Sequence, residues 1–281
     1  MELSILITYF PNRFEQLKRG LNSILLQSFN PANVELLFFN DGGDKKALSL
    51  LATYCHKISI RHFEIRRSLK NVNHSSTRRN YLIRQAIGKY LLFTEPEMVH
   101  VSCSITQTLK AFKKYGENIW YCGQVFATNE VVNPKGEVRI FDKQPINISS
   151  DTLGLKPSTT RLLNLNFFKK NTLFRKVNYE IQKQFSFWCT AIAKKNLVKV
   201  KGLKENLQKW GSEEIDLYNR LERVGVRRIF DPNFVTYHLP HPVKLLPEEK
   251  FIWGMYNNNL PFSNDHTWGL LKGEQVIETR L

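Results

Sequence analysis

Leu3-Ser4-Ile5-Leu6-Ile7-Thr8-Tyr9-Phe10 stands almost at the start of the chain. It is a nearly unbroken apolar and β-branched run without polar alternation, the pattern of a strand covered on both faces. Pro11-Asn12 breaks the run. Phe14, Leu17, Leu21, Ile24 and Leu25 then recur at helical spacing. Val34 to Phe39 is a second buried strand, ended by Asn40-Asp41-Gly42-Gly43. Leu48, Leu51 and Ala52 suggest another helix, and Ile58 to Ile65 alternates as a third strand. Ser76 to Ile87 reads as a helix stopped at Gly88, and Tyr90 to Phe93 as a fourth strand. Strands alternating with helices predict an α/β fold, a mostly parallel sheet flanked by helices on both faces. Ligands bind such sheets at the carboxyl ends of the strands. The informative loops therefore follow Phe10, Phe39 and Phe93.

Further along, Ile105 to Tyr115 reads as a helix, and Trp120 to Phe126 and Val138 to Phe141 as strands around an Asn133-Pro134-Lys135-Gly136 turn. Residues 143 to 180 have weak periodicity and read as long loops with a short helix and the character of a lid. Phe187 to Ala193 is a strand candidate, Ser212 to Val224 a helix stopped at Gly225, and Val226 to Phe230 and Phe234 to Tyr237 two short strands. The tail from Pro242 carries Phe251, Trp253, Tyr256, Phe262 and Trp268, and packing on the core is the expected fate of these aromatics.

The 281 residues are enough for one large α/β domain with an appendage, and 42% hydrophobic content supports a substantial core. Lys and Arg number 41 against 25 Asp and Glu, a net charge of +16. Such a balance favours anionic partners: nucleic acid, an anionic membrane face, or phosphorylated or acidic substrates. Dispersed basic residues without a recognisable binding motif argue against nucleic acid. Cys55, Cys103, Cys122 and Cys189 are scattered and form no CxxC pair, so a zinc site is not expected. Met1 leads straight into the first strand without an apolar leader, and no apolar stretch reaches the roughly 18 residues of a membrane span. The expectation is a cytoplasmic protein with reduced thiols, peripheral at most on the inner membrane face.

Four constellations carry chemistry. In Asn40-Asp41-Gly42-Gly43 a carboxylate can accept from a base N–H while the glycines allow close approach, although an Asp-Gly turn also simply ends strands. In Thr77-Arg78-Arg79-Asn80, arginines at a helix start can clamp a diphosphate. Glu95-Pro96-Glu97 after the fourth strand can hold a divalent cation or be a solvated loop. In Trp210-Gly211-Ser212-Glu213-Glu214 the acids fall in a first helical turn, whose dipole favours the ionised form that a general base needs. Tyr237-His238 adds an imidazole after a short strand.

The order of these elements carries a resemblance. Ser4 to Phe10 with Asn12-Arg13 looks like the opening strand of family-2 inverting glycosyltransferases. Asn40-Asp41-Gly42-Gly43 resembles their Asp-Asp-Gly-Ser element, Arg79-Asn80 their Ala-Arg-Asn, and Glu95-Pro96-Glu97 their Asp-x-Asp. Phe185 to Leu221 resembles the C-terminal half of galactosyl- and N-acetylgalactosaminyltransferases, with their Trp-Gly-Gly-Glu-Asp signature. The combination is similar to bacterial polymerases of chondroitin type and covers residues 3 to 240.

The resemblance implies a GT-A-like fold over 1–240, with a nucleotide-binding half at 1–100, an acceptor and catalytic half at 101–240, and a C-terminal extension at 241–281. It implies transfer of a hexose or N-acetylhexosamine from a UDP-sugar to a glycan or lipid-linked acceptor. Glu214 would be the catalytic base. Asp41 would bind the uracil, with Thr8, Tyr9, Arg13, Arg79, Asn80 and Glu95 around the nucleotide. Trp210 would form a sugar platform and Glu213 contact the acceptor. Glu95, Glu97 and His238 would lie at a Mn²⁺ or Mg²⁺ ion. Two departures stand out: Asn40 replaces the first Asp of its pair, and Phe187-Trp188 stands where the family often has Gly-Gly. The Glu-Pro-Glu departure motivates an alternative, a catalytically degenerate partner of another transferase.

Overall fold

A computed structural model of the chain describes residues 1–65, 75–127, 189–206, 213–239, 262, 264–271 and 274–281. Trp210, the strand expected at Val138–Phe141, the loops of 143–180 and the aromatics at 251, 253 and 256 lie outside the described residues.

The strands are β1 (Leu3–Tyr9), β2 (Val34–Asp41), β3 (Ser59–Ile65), β4 (Tyr90–Thr94), β5 (Met98–His100), β6 (Ile119–Ala127), β7 (Thr190–Ala193), β8 (Arg227–His238) and β9 (Ile277–Arg280). The helices are α1 (Phe14–Leu25), α2 (Lys45–Ala52), α3 (Ser75–Gln85), α4 (Ser104–Tyr115), α5 (Lys194–Lys199) and α6 (Glu213–Arg223). One nine-stranded sheet has the order β5-β8-β6-β7-β4-β1-β2-β3-β9. Strands β8, β6, β4, β1, β2 and β3 share one direction, while β5, β7 and β9 oppose it.

The unbroken apolar runs are explained by burial from both sides. All of β1 and β2 is buried. Leu3, Ile5, Ile7 and Tyr9 pack in one core with Leu17, Leu21 and Ile24 of α1. Leu6 joins a second core on the opposite face with Leu82 and Ile83 of α3, Leu217 and Leu221 of α6, and Trp268. The tail aromatic Trp268 thus packs on the core, only 6% exposed. Each fully buried Leu, Ile or Phe contributes roughly 1.5–3 kcal/mol of transfer free energy, so the two cores make the sheet a rigid frame for the loops at its edge.

Several boundaries differ from the sequence reading. The two short strands after Gly225 are one strand, β8, paired parallel with β6. Gly123 lies opposite Asp231 and Gln124 opposite Val235, so residues 232–234 are accommodated as an irregularity that keeps the ladder going on either side. A Cβ on Gly123 would come within 2.1 Å of the Phe234 carbonyl oxygen, so only glycine fits there. Helix α3 ends at Gln85, before Gly88. Gly88 serves close approach instead: an added Cβ would lie 2.5 Å from the Ser4 backbone nitrogen. Strand β9 is a finding with no apolar signal, since Ile-Glu-Thr-Arg joins the edge of β3 through its backbone. No helix among the described residues is long and apolar enough to cross a membrane.

Candidate active site

The common direction of β1, β2 and β4 brings Thr8–Tyr9, Asn40–Asp41 and Thr94–Glu95 to one edge, in the registers Tyr9↔Asn40 and Ile7↔Thr94. Helix α3 follows β3 and lays its first half across this edge. Ser76, Arg78, Arg79 and Asn80 are buried there, while Leu82 and Ile83 in its second half enter the core. Successive helical residues point about 100° apart, and the two arginines find different acids. Arg78 Nε donates to Asp41 Oδ2 at 3.0 Å. Arg79 Nη2 donates to Glu95 Oε1.

Arg79 is the hub. Its Nη1 lies 3.7 Å from Glu213 Oε1 and 3.9 Å from Glu214 Oε1, at the start of α6. One buried guanidinium therefore joins the end of β4 to the acidic first turn of α6. Burial opposes its charge, but Glu95, Glu214 and Glu213 outweigh burial and raise its pKa.

Glu214 responds in the opposite sense to the helix-dipole expectation. Burial, with Glu213 beside it and Arg79 opposing, pushes Glu214 up to about 8. A helix N-terminus supplies roughly 0.3–1 kcal/mol, whereas one pKa unit is about 1.4 kcal/mol. Desolvation and a neighbouring carboxylate therefore win. Glu95 is raised as well, by burial and by Glu97 against the pull of Arg79. Of the two acids that face Arg79, Glu214 is the more open, with 17% of its side chain exposed against 3% for Glu213.

A second cationic contact lies beside the first. Arg13 Nη1 donates to Glu97 Oε1 at 2.8 Å, and His238 Nε2 stands 3.6 Å from the same oxygen. The three-residue strand β5 is responsible: its pairing sets Met98 opposite His238 and so brings Glu97 alongside. Gly20 of α1 permits this approach, because a Cβ there would sit 2.7 Å from the Pro96 carbonyl oxygen and 2.9 Å from that of Met98.

Glu95, Glu97 and His238 offer two carboxylates and an imidazole, donors suited to Mn²⁺ or Mg²⁺. Their arrangement does not form a cage. Glu95 is engaged by Arg79 and Glu97 by Arg13, and among the described residues no three His, Cys, Asp or Glu side chains converge as a metal site.

Thr8 Oγ1 donates to Glu95 Oε2 at 3.5 Å. Tyr9 donates to Asp44 Oδ2 at 2.7 Å, and the other oxygen of Asp44 caps α2 through Lys46 N. Asn80 turns away from the edge: it donates to the Leu203 carbonyl and to Glu205 and accepts from Leu203 N, all at 2.7–2.8 Å. These bonds tie α3 to residues 203–205. Asn80→Ala is accordingly expected to lower stability by roughly 2–4 kcal/mol, since it strands buried partners, and urea unfolding measures the loss. Asn40, which replaces an acid of the expected pair, holds the 40–44 turn through Asp44 N and O and meets His62 Nε2 at 3.1 Å. Burial lowers the His62 pKa against the pull of Glu64, and a neutral amide suits such a ring. Arg78, read from the Thr77–Asn80 motif as part of a diphosphate clamp, is instead paired with Asp41 and Glu274. Asp44 and Glu274 carry no signal in the sequence.

The sheet order and the acid-and-arginine edge define a GT-A-type α/β fold. Residues 4–194 match the description of glycosyl transferase family 2, and residues 169–242 that of the N-terminal domain of galactosyltransferase. The chain belongs to glycosyl transferase family 2. Solved structures agree in fold. TarS of S. aureus is 14% identical, with a TM-score of 0.57 over 85% of this chain and 37% of its own. Its 1–349 fragment with UDP-GlcNAc is 15% identical, at a TM-score of 0.58 over 87% and 60%. The mannosyltransferase PcManGT of Pyrobaculum calidifontis, solved with GDP-Man and Mn²⁺, is 11% identical, at 0.55 over 86% and 57%. The chain spans less than two thirds of the length of each.

Proposed function

We propose that this glycosyltransferase moves a hexose or N-acetylhexosamine from a UDP-sugar to a hydroxyl of a glycan or lipid-linked acceptor, with inversion, in bacterial surface polysaccharide synthesis. The observation that carries the reading is Arg79, a single buried cation joining Glu95 on the donor side to Glu213 and Glu214 at α6. Residues 1–100 form the nucleotide half in this reading, and 101–240 the acceptor and catalytic half. Asp41 accepts from the uracil N–H; Thr8, Tyr9 and Arg13 border the nucleotide, and Asn80 supports it from behind. Glu213 and Trp210 face the acceptor.

In the reaction the Glu214 carboxylate takes the proton of the acceptor hydroxyl as its oxygen attacks the anomeric carbon. The bond from that carbon to the diphosphate oxygen breaks on the opposite face, and UDP leaves with the electron pair. Arg79 supplies positive charge between the base and the departing diphosphate. The +16 charge supports an acidic glycan or lipid diphosphate as acceptor, met at an anionic membrane face.

The test is UDP release from UDP-glucose, UDP-galactose, UDP-GlcNAc and UDP-GalNAc, with glycan and lipid-linked acceptors and with thermal shift by UDP run in parallel. Release with at least one donor is expected. A UDP shift without release from any donor would favour a non-catalytic nucleotide-sugar-binding partner, a reading motivated by the arginine-paired Glu95 and Glu97.

A further inference from the structure

Arg78 is at the centre of a buried relay that the reaction above does not use. Its Nε donates to Asp41 Oδ2 at 3.0 Å. Its terminal nitrogens both face Glu274: Nη2 donates to Oε1 at 3.0 Å, and Nη1 makes an ion-pair contact with Oε2 at 2.8 Å. The guanidinium lies over the ring of Phe39, 5.5 Å from its centroid. Arg78 and Asp41 are buried, and the Glu274 side chain is one-quarter exposed.

The topology explains how a residue so near the end of the chain reaches Asp41. Strand β9 runs antiparallel to β3, with Ile277 opposite Glu64. The residues just before Ile277 therefore pass the carboxyl end of β3. Ile65 sits there beside Asp41, and Gly42 N donates to the Ile65 carbonyl at 2.9 Å.

A guanidinium facing one carboxylate tends to take both oxygens in a fork. Glu274 occupies both terminal nitrogens, by one hydrogen bond and one ion-pair contact, and leaves Arg78 to meet Asp41 through Nε. Two carboxylates around one guanidinium also leave a net negative charge, which favours acceptance from an N–H. Uracil presents an N–H at ring position 3, whereas cytosine presents a lone pair that a carboxylate repels. We propose that Glu274 and Arg78 are positioning residues that set the base selectivity of Asp41, so that the segment 274–281, anchored by β9, completes the nucleotide site. This rests on the reading of Asp41 as the base contact.

Calorimetric titration of the full chain with UDP and with CDP tests the relay, with Tm recorded for each variant. The wild-type chain is expected to prefer UDP. Glu274→Gln is expected to narrow the UDP:CDP affinity ratio about tenfold by letting Arg78 close on Asp41, and Glu274→Asp is expected to be intermediate. A Glu274→Gln ratio that stays at the wild-type value, or equal weakening of both nucleotides, overturns the relay even where Asp41→Ala abolishes selectivity. If Asp41→Ala keeps the wild-type ratio, or the wild type shows no preference, the base assignment falls and the relay with it. Should the Gln substitution unfold the chain, the Glu274→Asp ratio decides by the same criterion.

Discussion

Replacing Glu214 by Gln is expected to lower kcat by roughly a thousandfold or more while UDP still binds. The amide keeps the shape of the side chain and the first turn of α6 but cannot take a proton. Its counterpart in pH is equally specific. Burial and Glu213 push the Glu214 pKa up to about 8. With Glu214 as the proposed base, the protonated form that prevails below that value is expected to be inactive. The rate should climb about tenfold per pH unit toward 8 and then level, and the residual activity of Glu214→Gln should lack this limb. Turnover near wild type in the variant would remove Glu214 from the role.

The same shift bears on stability, with a sign fixed by linkage. The folded-state pKa is raised from 4.5 to about 8, so between those values the folded chain keeps a proton that the unfolded chain has released. This contribution is fully present below pH 4.5 and is lost as pH rises toward 8. Glu214→Gln removes that loss. At pH 8.5 the inactive variant is therefore expected to melt a few degrees above wild type, and differential scanning calorimetry at pH 5 and 8.5 reads the difference.

Arg79→Ala is the second large effect. It leaves Glu95, Glu213 and Glu214 at one buried point without the guanidinium that touches all three. Removing one member of a buried ion pair costs roughly 3–5 kcal/mol, so a fall in Tm on the order of 10 °C is expected, together with loss of UDP binding. Arg79→Lys should recover little, because one ammonium cannot reach Glu95 with one nitrogen and the α6 acids with another. Thermal melting and UDP titration of both variants check this. A Lys variant that binds UDP as tightly as wild type would show that only a point charge is needed.

Much of the frame is written in local pattern. Strands β1, β2 and β4 announce themselves because a strand covered on both faces carries a continuous apolar run. Helix α1 shows its buried stripe, and Gly225, at φ 87°, ends α6 as its position suggested. Strand β8 looks like two short strands in sequence because Pro232 interrupts its pattern. Backbone pairing continues past residues 232–234, since Gly123 leaves room for them. Strands β5 and β9 were not legible. The first has three residues, and the second holds the sheet edge through backbone bonds that place no demand on hydrophobicity.

The site divides along the same line. Residue identities and their order, Asp41, Arg79, Glu95, Glu214, motivate the proposed chemistry, because acid and guanidinium side chains can do such work wherever the fold gathers them. Pairing was decided in three dimensions. The rotation between neighbours on α3 sends Arg78 to Asp41 and Arg79 to Glu95. The register of β5 against β8 sets His238 beside Glu97, and the return of the tail along β3 brings Glu274 to Arg78. The protonation of Glu214 belongs to this second group. Local sequence, an acid at a helix start, favours charge, but burial and a crowded neighbour, which exist only once the chain is folded, favour the proton and win because desolvation exceeds the pull of a helix end.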